Sequence, residues 1–438
     1  MLSTLYNAFK VKNIRKKLLF TLMILVIYRI GAYITVPGIN AKALQNVSSS
    51  GLVSMLNIFS GGGLTNYSLF AMGVSPYITA QIVIQLLQMD IVPRFTEWSK
   101  QGQVGRRKLN QVTRWLTIIL AFFQSVGITA GFNTLSSLHL VQNPNVYTYV
   151  SIGLILTGGS MLTTWMGDMI TDKGIGQGVS MIIFAGIIAA TPVGIQQLYQ
   201  EYIVGESGAD LLKAGLFILA VVLIAVIIIT FVTWVQQAER RVPIQYTKRA
   251  TSAGKDSYLP LKVNVSGVIP VIFASSFIST PQTLLMFFQG SHANDTWYQI
   301  VSKIFNMQTT DGAILYTFLI IVFTFFYAFV QVNPEKLAKN LQKQGSYVPD
   351  VWPGHETQDY FSNLLMRLST VGSVFLGVVA LIPLIAQNIW NLNESIGLGG
   401  TSLLIVVGVA IDTIRQIRGL MMKREYVGFI RTSRPSNL

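Results

Sequence analysis

Apolar residues in this chain come in long unbroken runs. Ten of them are long enough to predict membrane-spanning helices, at roughly 18–36, 67–89, 115–132, 147–167, 175–195, 213–234, 266–288, 314–332, 368–388 and 400–419. The yardstick is a rise of ~1.5 Å per residue across an apolar core that takes about 20 residues. One further run, Leu52 to Phe59, is too short to cross and stops at Gly61-Gly62-Gly63, after which the run from Tyr67 to Met89 begins. A stub hinged by glycines onto a full span leaves backbone groups to be satisfied at membrane depth. That is tolerated only where protein or a water-filled cavity surrounds the break. The segment 52–89 therefore predicts a cavity within the membrane with a piece of chain lying in it.

Composition supports the spans. The 438 residues are 51% hydrophobic and 11% charged, against a usual charged share of about 25%, which indicates a polytopic membrane protein and excludes a soluble enzyme. There is no cysteine, so disulfides and thiolate-bound metals are excluded. His139, His292 and His355 lie far apart in non-span segments, and no metal site or cofactor is expected. The basic start (Lys10, Lys12, Arg15, Lys16, Lys17) resembles a signal peptide, but its apolar run continues to about Ile34 and ends in Thr35-Val36-Pro37-Gly38 rather than at a small-residue cleavage site. It reads as a short amphipathic segment, 1–17, before the first span.

Charge orients the spans. With both termini inside, all of the 32 Lys and Arg residues fall on the inner side except Lys42, Lys213 and Lys303 outside and Arg29 within the first span. This is a strong positive-inside pattern. It divides the chain into a first half, 18–195, with the stub at 52–64; an outer linker, 196–212; a second half, 213–419, with cytoplasmic loops 235–265 and 333–367; and a cytoplasmic tail, 420–438. The basic loops fit two readings: a topology signal with anionic-lipid contact, or docking of an acidic or RNA-containing partner. In the second loop, Asn333 before Pro334 and Glu335 marks a capped helix start.

The second span carries Gly73-Val74-Ser75-Pro76-Tyr77-Ile78 and the seventh Gly267-Val268-Ile269-Pro270-Val271-Ile272, both GV-x-P-x-I. Each is the second span of a five-span half. Five is odd, so the halves are expected to be inverted repeats meeting at a central pathway. Each proline is expected to kink its span. Ionisable groups near the midplane, which an ion-coupled transporter needs, are scarce: Arg29 lies near one end of the first span, and Asp412 near the inner end of the last, one turn from Arg415 and Gln416. Each reads as a structural pair or interfacial anchor. Gln81, Gln85 and Gln88 make one face of the second span polar, toward a partner helix or toward water. Spans lined by aliphatic residues suit a closed hydrophobic constriction that excludes ions by dewetting.

The chain resembles the SecY/Sec61 alpha family, the channel subunits of Sec protein translocases. The resemblance rests on Phe59-Ser60-Gly61-Gly62-Gly63-Leu64, Ser75-Pro76-Tyr77-Ile78-Thr79-Ala80, Lys173-Gly174-Ile175-Gly176-Gln177-Gly178, Ile183-Phe184-Ala185-Gly186, Leu261-Lys262-Val263-Asn264, Asn333-Pro334 and Thr401-Ser402-Leu403-Leu404-Ile405-Val406-Val407, in that order. It implies an all-α protein of ten transmembrane helices in two inverted halves around an hourglass pore with a short plug helix. It implies a pore ring of Val74, Ile78, Val179, Ile183, Ile272 and Ile405, with Ile82 and Ile269 as neighbours. Such side chains are apolar, mostly stiff at χ1, and can touch an extended polypeptide without sequence preference. The plug and its hinge would be Leu52, Met55, Ile58, Phe59, Gly61, Gly62 and Gly63. The second and seventh spans would form a lateral gate opened by preprotein signal sequences, with Thr79 and Thr280 at its seam and Gln85 and Gln177 in a polar cluster, although the family commonly has Asn at 177. The implied partners are small SecE-like and SecG-like membrane subunits, the motor ATPase SecA, a translating ribosome and anionic lipids. Docking would fall to Arg240, Arg241, Lys248, Arg249, Lys336, Lys339, Lys343, Trp352 and Tyr426. Trp352 departs from the family's G-x-R-P-G pattern: it can stack or fill a pocket but cannot form a bidentate charged pair. The implied function is a passive protein-conducting channel in the bacterial plasma membrane. Two rivals are an accessory paralogue with a narrow substrate set, which Trp352 favours, and an inverted-repeat transporter, which the missing midplane carboxylates disfavour.

Overall fold

The computed structural model describes residues 9–40, 57, 60–89, 91–135, 141, 144–202, 209–246, 257–292, 294–390 and 400–431. In chain order the elements are α1 (Lys12–Gly31), α2 (Ser75–Leu87), α3 (Pro93–Lys100), α4 (Gln103–Leu135), α5 (Val146–Lys173), α6 (Gly178–Tyr202) and α7 (Ala209–Gln237). Then come β1 (Glu239–Tyr246), β2 (Ser257–Lys262), α8 (Ile269–His292), α9 (Thr296–Phe305), α10 (Thr310–Gln331), α11 (Pro334–Lys343), β3 (Ser346–Tyr347), α12 (His355–Trp390) and α13 (Gly400–Arg431). Among the described residues seven helices are long and apolar enough to cross a membrane. With α1, α2 and α13, which stand where spans were expected, they make ten: α1, α2, α4, α5 and α6 in one half, and α7, α8, α10, α12 and α13 in the other. The halves meet where α8 packs on α2 and α4, and again where α6 packs on α7 and α13.

Several helices outrun their apolar runs. α4, α12 and α13 continue well past the lipid-compatible stretch, because hydropathy marks what lipid accepts while the helix stops only at a breaker. For the same reason the outer linker expected over 196–212 contracts, α6 reaching Tyr202 and α7 starting at Ala209.

The second span corrects its prediction. Its helix covers Ser75–Leu87 only, and residues 60–74 run as successive turns instead of continuing 67–89 as one helix. Two features of the repeat cause this. Gly73 and Gly267 both take positive φ, 54° and 66°, a conformation that glycine enters without steric cost. Pro76 then occupies the first turn of α2, and Pro270 is the second residue of α8. Proline is well suited to a helix start, where its missing N–H would lack a partner anyway. The GV-x-P-x-I repeat therefore starts two helices; the expected kinks at Pro76 and Pro270 do not form. The irregular backbone is enclosed and satisfied by side chains: Ser160 and Thr163 of α5 donate to the Gly73 carbonyl at 3.1 and 3.2 Å.

The basic loops build a small unit of their own. β1 pairs antiparallel with β2 and, at its far end, with β3. Along β1, Val242 and Ile244 are buried while Arg241, Pro243 and Gln245 are exposed, the period-two pattern of a strand with one covered face. Its inner face joins Leu261, Leu341, Val348 and Phe361 in a separate hydrophobic core. Phe361 is fully buried there. Phe361→Ala is expected to destabilise the unit by ~3–5 kcal/mol, read as faster limited proteolysis in the 239–262 region with the spans still inserted.

Candidate functional site

Five of the six predicted ring residues lie within one hydrophobic cluster to which both halves contribute: Val74 and Ile78 at the head of α2, Ile183 in α6, Ile272 in α8 and Ile405 in α13. None is more than 4% exposed. Ile82 belongs to the same cluster, and Val179 and Ile269 pack against it half-buried. The repeat explains the placement. Ile78 N–H bonds the Val74 carbonyl at 3.1 Å and Ile272 N–H the Val268 carbonyl at 3.3 Å, so each half offers a Val/Ile pair on the first turn of its helix. Val268 is therefore the counterpart of Val74. It is buried in the cluster, and reading the repeat position by position would have found it.

The seam between α2 and α8 is polar and thinly bonded. Thr79 Oγ1 lies 3.0 Å from Thr280 Oγ1, and Gln124 of α4 donates from Nε2 to Thr280 Oγ1 at 3.1 Å. Elsewhere on α8, Ser275, Ser279 and Thr283 donate to carbonyls three residues earlier, while among the described residues Ser276 Oγ is buried without a partner. A hydrogen bond between membrane helices contributes ~0.6 kcal/mol on average, so the Thr79–Thr280 contact between α2 and α8 and the Gln124–Thr280 bond from α4 each tie α8 to the first half only weakly. Gln124, 2% exposed, was missed because it sits among apolar residues on a helix the repeat does not mark. Among the described residues no hydrogen bond joins Gln85 to Gln177, and Gln85 Oε1 is buried without a hydrogen-bond partner. Gln177 accepts from Ser180 at 3.3 Å and lines a cavity of about 100 Å³ with Lys262, Tyr327, Asp412 and Gln416.

Of the predicted plug and hinge, Gly61, Gly62 and Gly63 are described, while Leu52, Met55, Ile58 and Phe59 lie outside the described residues. The glycine triplet is held from α1. Arg29 donates from Nη1 to the Gly61 carbonyl and from Nη2 to the Tyr33 hydroxyl. Gly61 has φ +63°, and a Cβ there would come within 2.8 Å of the buried Tyr28 Oη and 3.1 Å of the Gly186 Cα. Asp412 pairs with Lys262 at 2.9 Å rather than with Arg415, which donates to the Gln236 carbonyl.

On the basic face Arg240 and Arg241 are exposed on β1, with the Arg241 guanidinium 4.8 Å from the centre of the Tyr258 ring. Lys248 and Arg249 lie outside the described residues, and Tyr426 falls within α13. Asn333 Oδ1 accepts from Lys336 N–H at 3.0 Å, so the cap expected at that helix start is present. Lys336, Lys339 and Lys343 are exposed along α11. Lys339 bonds Glu335 and holds its carboxyl below the usual carboxylate range. Trp352 is 76% exposed just before α12.

The SecY family model matches residues 68–414. The chain belongs to the SecY family. It is 65% identical over 431 residues to protein translocase subunit SecY 1 of Lactobacillus kefiranofaciens subsp. kefiranofaciens, covering 98% of this chain and all of the relative. It is 48% identical over 436 residues to protein translocase subunit SecY of Bacillus subtilis strain 168, again over 98% of this chain and the whole relative. Among solved structures, a protein-conducting channel matches with TM-score 0.64 at 18% identity, over 97% of this chain and 95% of the other. Canine Sec61 from a ribosome–channel complex matches with TM-score 0.60 at 18% identity, over the same shares. The ten-helix SecY fold thus contains a hydrophobic cluster to which both halves contribute.

Proposed function

We propose that this chain is the protein-conducting channel of a Sec translocase in a bacterial plasma membrane, with both termini in the cytoplasm. Unfolded preproteins pass between the halves through the ring of Val74, Ile78, Val179, Ile183, Ile272 and Ile405, and transmembrane segments leave sideways between α2 and α8. The observation that carries this reading is that five of the six ring residues are buried in one hydrophobic cluster to which both halves contribute, beside the Thr79–Thr280 contact. Such a ring excludes ions by staying dry, and it can part around a chain because neither half crosses it covalently. Segment 52–64 acts as the plug, with Arg29 holding its hinge.

The chain supplies no energy itself. A SecA-like motor or a translating ribosome docks on the exposed basic surface of β1 and α11, with Trp352 at its edge, and SecE-like and SecG-like subunits complete the complex in anionic lipid. The basic patch suits RNA phosphate or an acidic protein. The test is purification from native membranes followed by reconstitution. Small one- or two-span subunits should accompany the chain, and vesicles holding the complex should import a signal-bearing preprotein when given the motor and ATP. A chain that purifies alone and imports nothing would overturn the proposal. Arg240→Glu with Arg241→Glu is expected to weaken motor or ribosome binding at least about tenfold, ~1.4 kcal/mol, with span insertion intact; wild-type affinity would leave these residues as topology signals only.

A further inference from the structure

We infer that α9 is a membrane-interface anchor for the gate helix α8, its exposed apolar stripe lying among lipid headgroups on the side opposite the basic loops. This rests on the orientation and gate reading proposed above. α9 has ten residues, ~15 Å of helix, too short to cross a bilayer. Its side chains sort into three faces. Tyr298, Val301 and Phe305 are half-buried against the protein, Phe305 reaching the main core cluster. Gln299 and Lys303 are polar and exposed. Trp297, Ile300 and Ile304, at i, i+3 and i+7, form an exposed apolar stripe, at 46%, 53% and 39% exposure.

The helix is held in this roll. Lys303 pairs with Asp311 of α10 at 2.9 Å, and the Trp297 ring stands 6.1 Å from Phe288 and 5.9 Å from His292 on the last turns of α8. The stripe therefore cannot turn inward without breaking these contacts. Continuity names its occupant as lipid. Beside it, Leu284, Phe287 and Phe288 of α8 and Ile314 and Phe318 of α10 are also exposed, on spans whose outer surfaces face hydrocarbon. An apolar stripe bordered by lysine and glutamine and starting at Trp297 suits the boundary between acyl chains and headgroups, where aromatic residues concentrate. Because α8 runs into α9 through only a few residues, lateral movement of α8 at the gate must carry α9 along the interface.

The chain has no cysteine, which permits a direct test. Single variants Gln299→Cys, Ile300→Cys and Ile304→Cys, spin-labelled in the full chain with its co-purifying subunits in phospholipid vesicles, are compared by power saturation with oxygen and a water-soluble nickel chelate. Labels at 300 and 304 are expected to collide more with oxygen than with the chelate, and the label at 299 the reverse. Greater chelate access at 300 and 304 would overturn the inference by placing the stripe in water. Low access to both reagents would overturn it by placing a protein partner there. Failure of the channel reading would show separately, as absent preprotein import by the unlabelled complex.

Discussion

Replacing Ile78 and Ile272 together with serine is expected to raise ion leakage through the resting channel by at least about tenfold in planar bilayers, with the protein still folded and inserted. The two side chains occupy equivalent first-turn positions of α2 and α8 and are 2% and 4% exposed in the shared cluster. Burying an Ile side chain is worth ~1.5–3 kcal/mol, and a hydroxyl in its place offers water a hydrogen-bond partner in a constriction that excludes ions by being dry. Each ~1.4 kcal/mol taken from that barrier is a factor of ten, so two such changes suffice. Serine at Ile187, in the same cluster but outside the ring, serves as the control for general loosening. Conductance equal to the unmodified channel would mean that the ring does not form the seal.

The second large effect is expected at Arg29. Its guanidinium reaches the Gly61 carbonyl and the Tyr33 hydroxyl at once, and hydrogen bonds to a charged donor contribute ~1.5–3 kcal/mol. Arg29→Gln removes that charge from the hinge and is expected to raise resting leak about tenfold. It should also expose a cysteine introduced at Ile58 to aqueous thiol reagents without substrate. Arg29→Lys should fall between the two, because an ammonium keeps the charge but lacks the two separate, coplanar nitrogens with which the guanidinium reaches both acceptors. If leak and labelling match the parent, the Gly61 turn is held by its packing on Tyr28 and Gly186, and the guanidinium is only an interfacial anchor.

Much of this was legible along the chain because the solvent changes so sharply at the membrane boundary. Span positions follow from hydropathy, and the two halves from GV-x-P-x-I. The cap at Asn333 follows from a local hydrogen bond that needs only the next three residues. The same repeat misled where local chemistry has two outcomes. A proline can kink a helix or begin one, and Gly73 and Gly267 at positive φ choose the second. The strands of the basic unit were hidden in loops read for charge, although Val242 and Ile244 already alternate with exposed residues. Gln124 carried no local mark; its importance comes from Thr280, more than a hundred residues away.

By itself the sequence determined the class of protein, the number of spans, the inversion of its halves and the basic side. These depend on transfer between water and lipid and on the parity of crossings, which composition along the chain sets. Tertiary structure alone decided that the second span is a short helix behind an enclosed coil. It also decided that, among the described residues, no hydrogen bond joins Gln85 to Gln177, that Arg29 reaches the Gly61 carbonyl, and that Gln124 meets Thr280. Those outcomes turn on which buried carbonyl or hydroxyl meets which donor, and that pairing exists only once distant helices have packed.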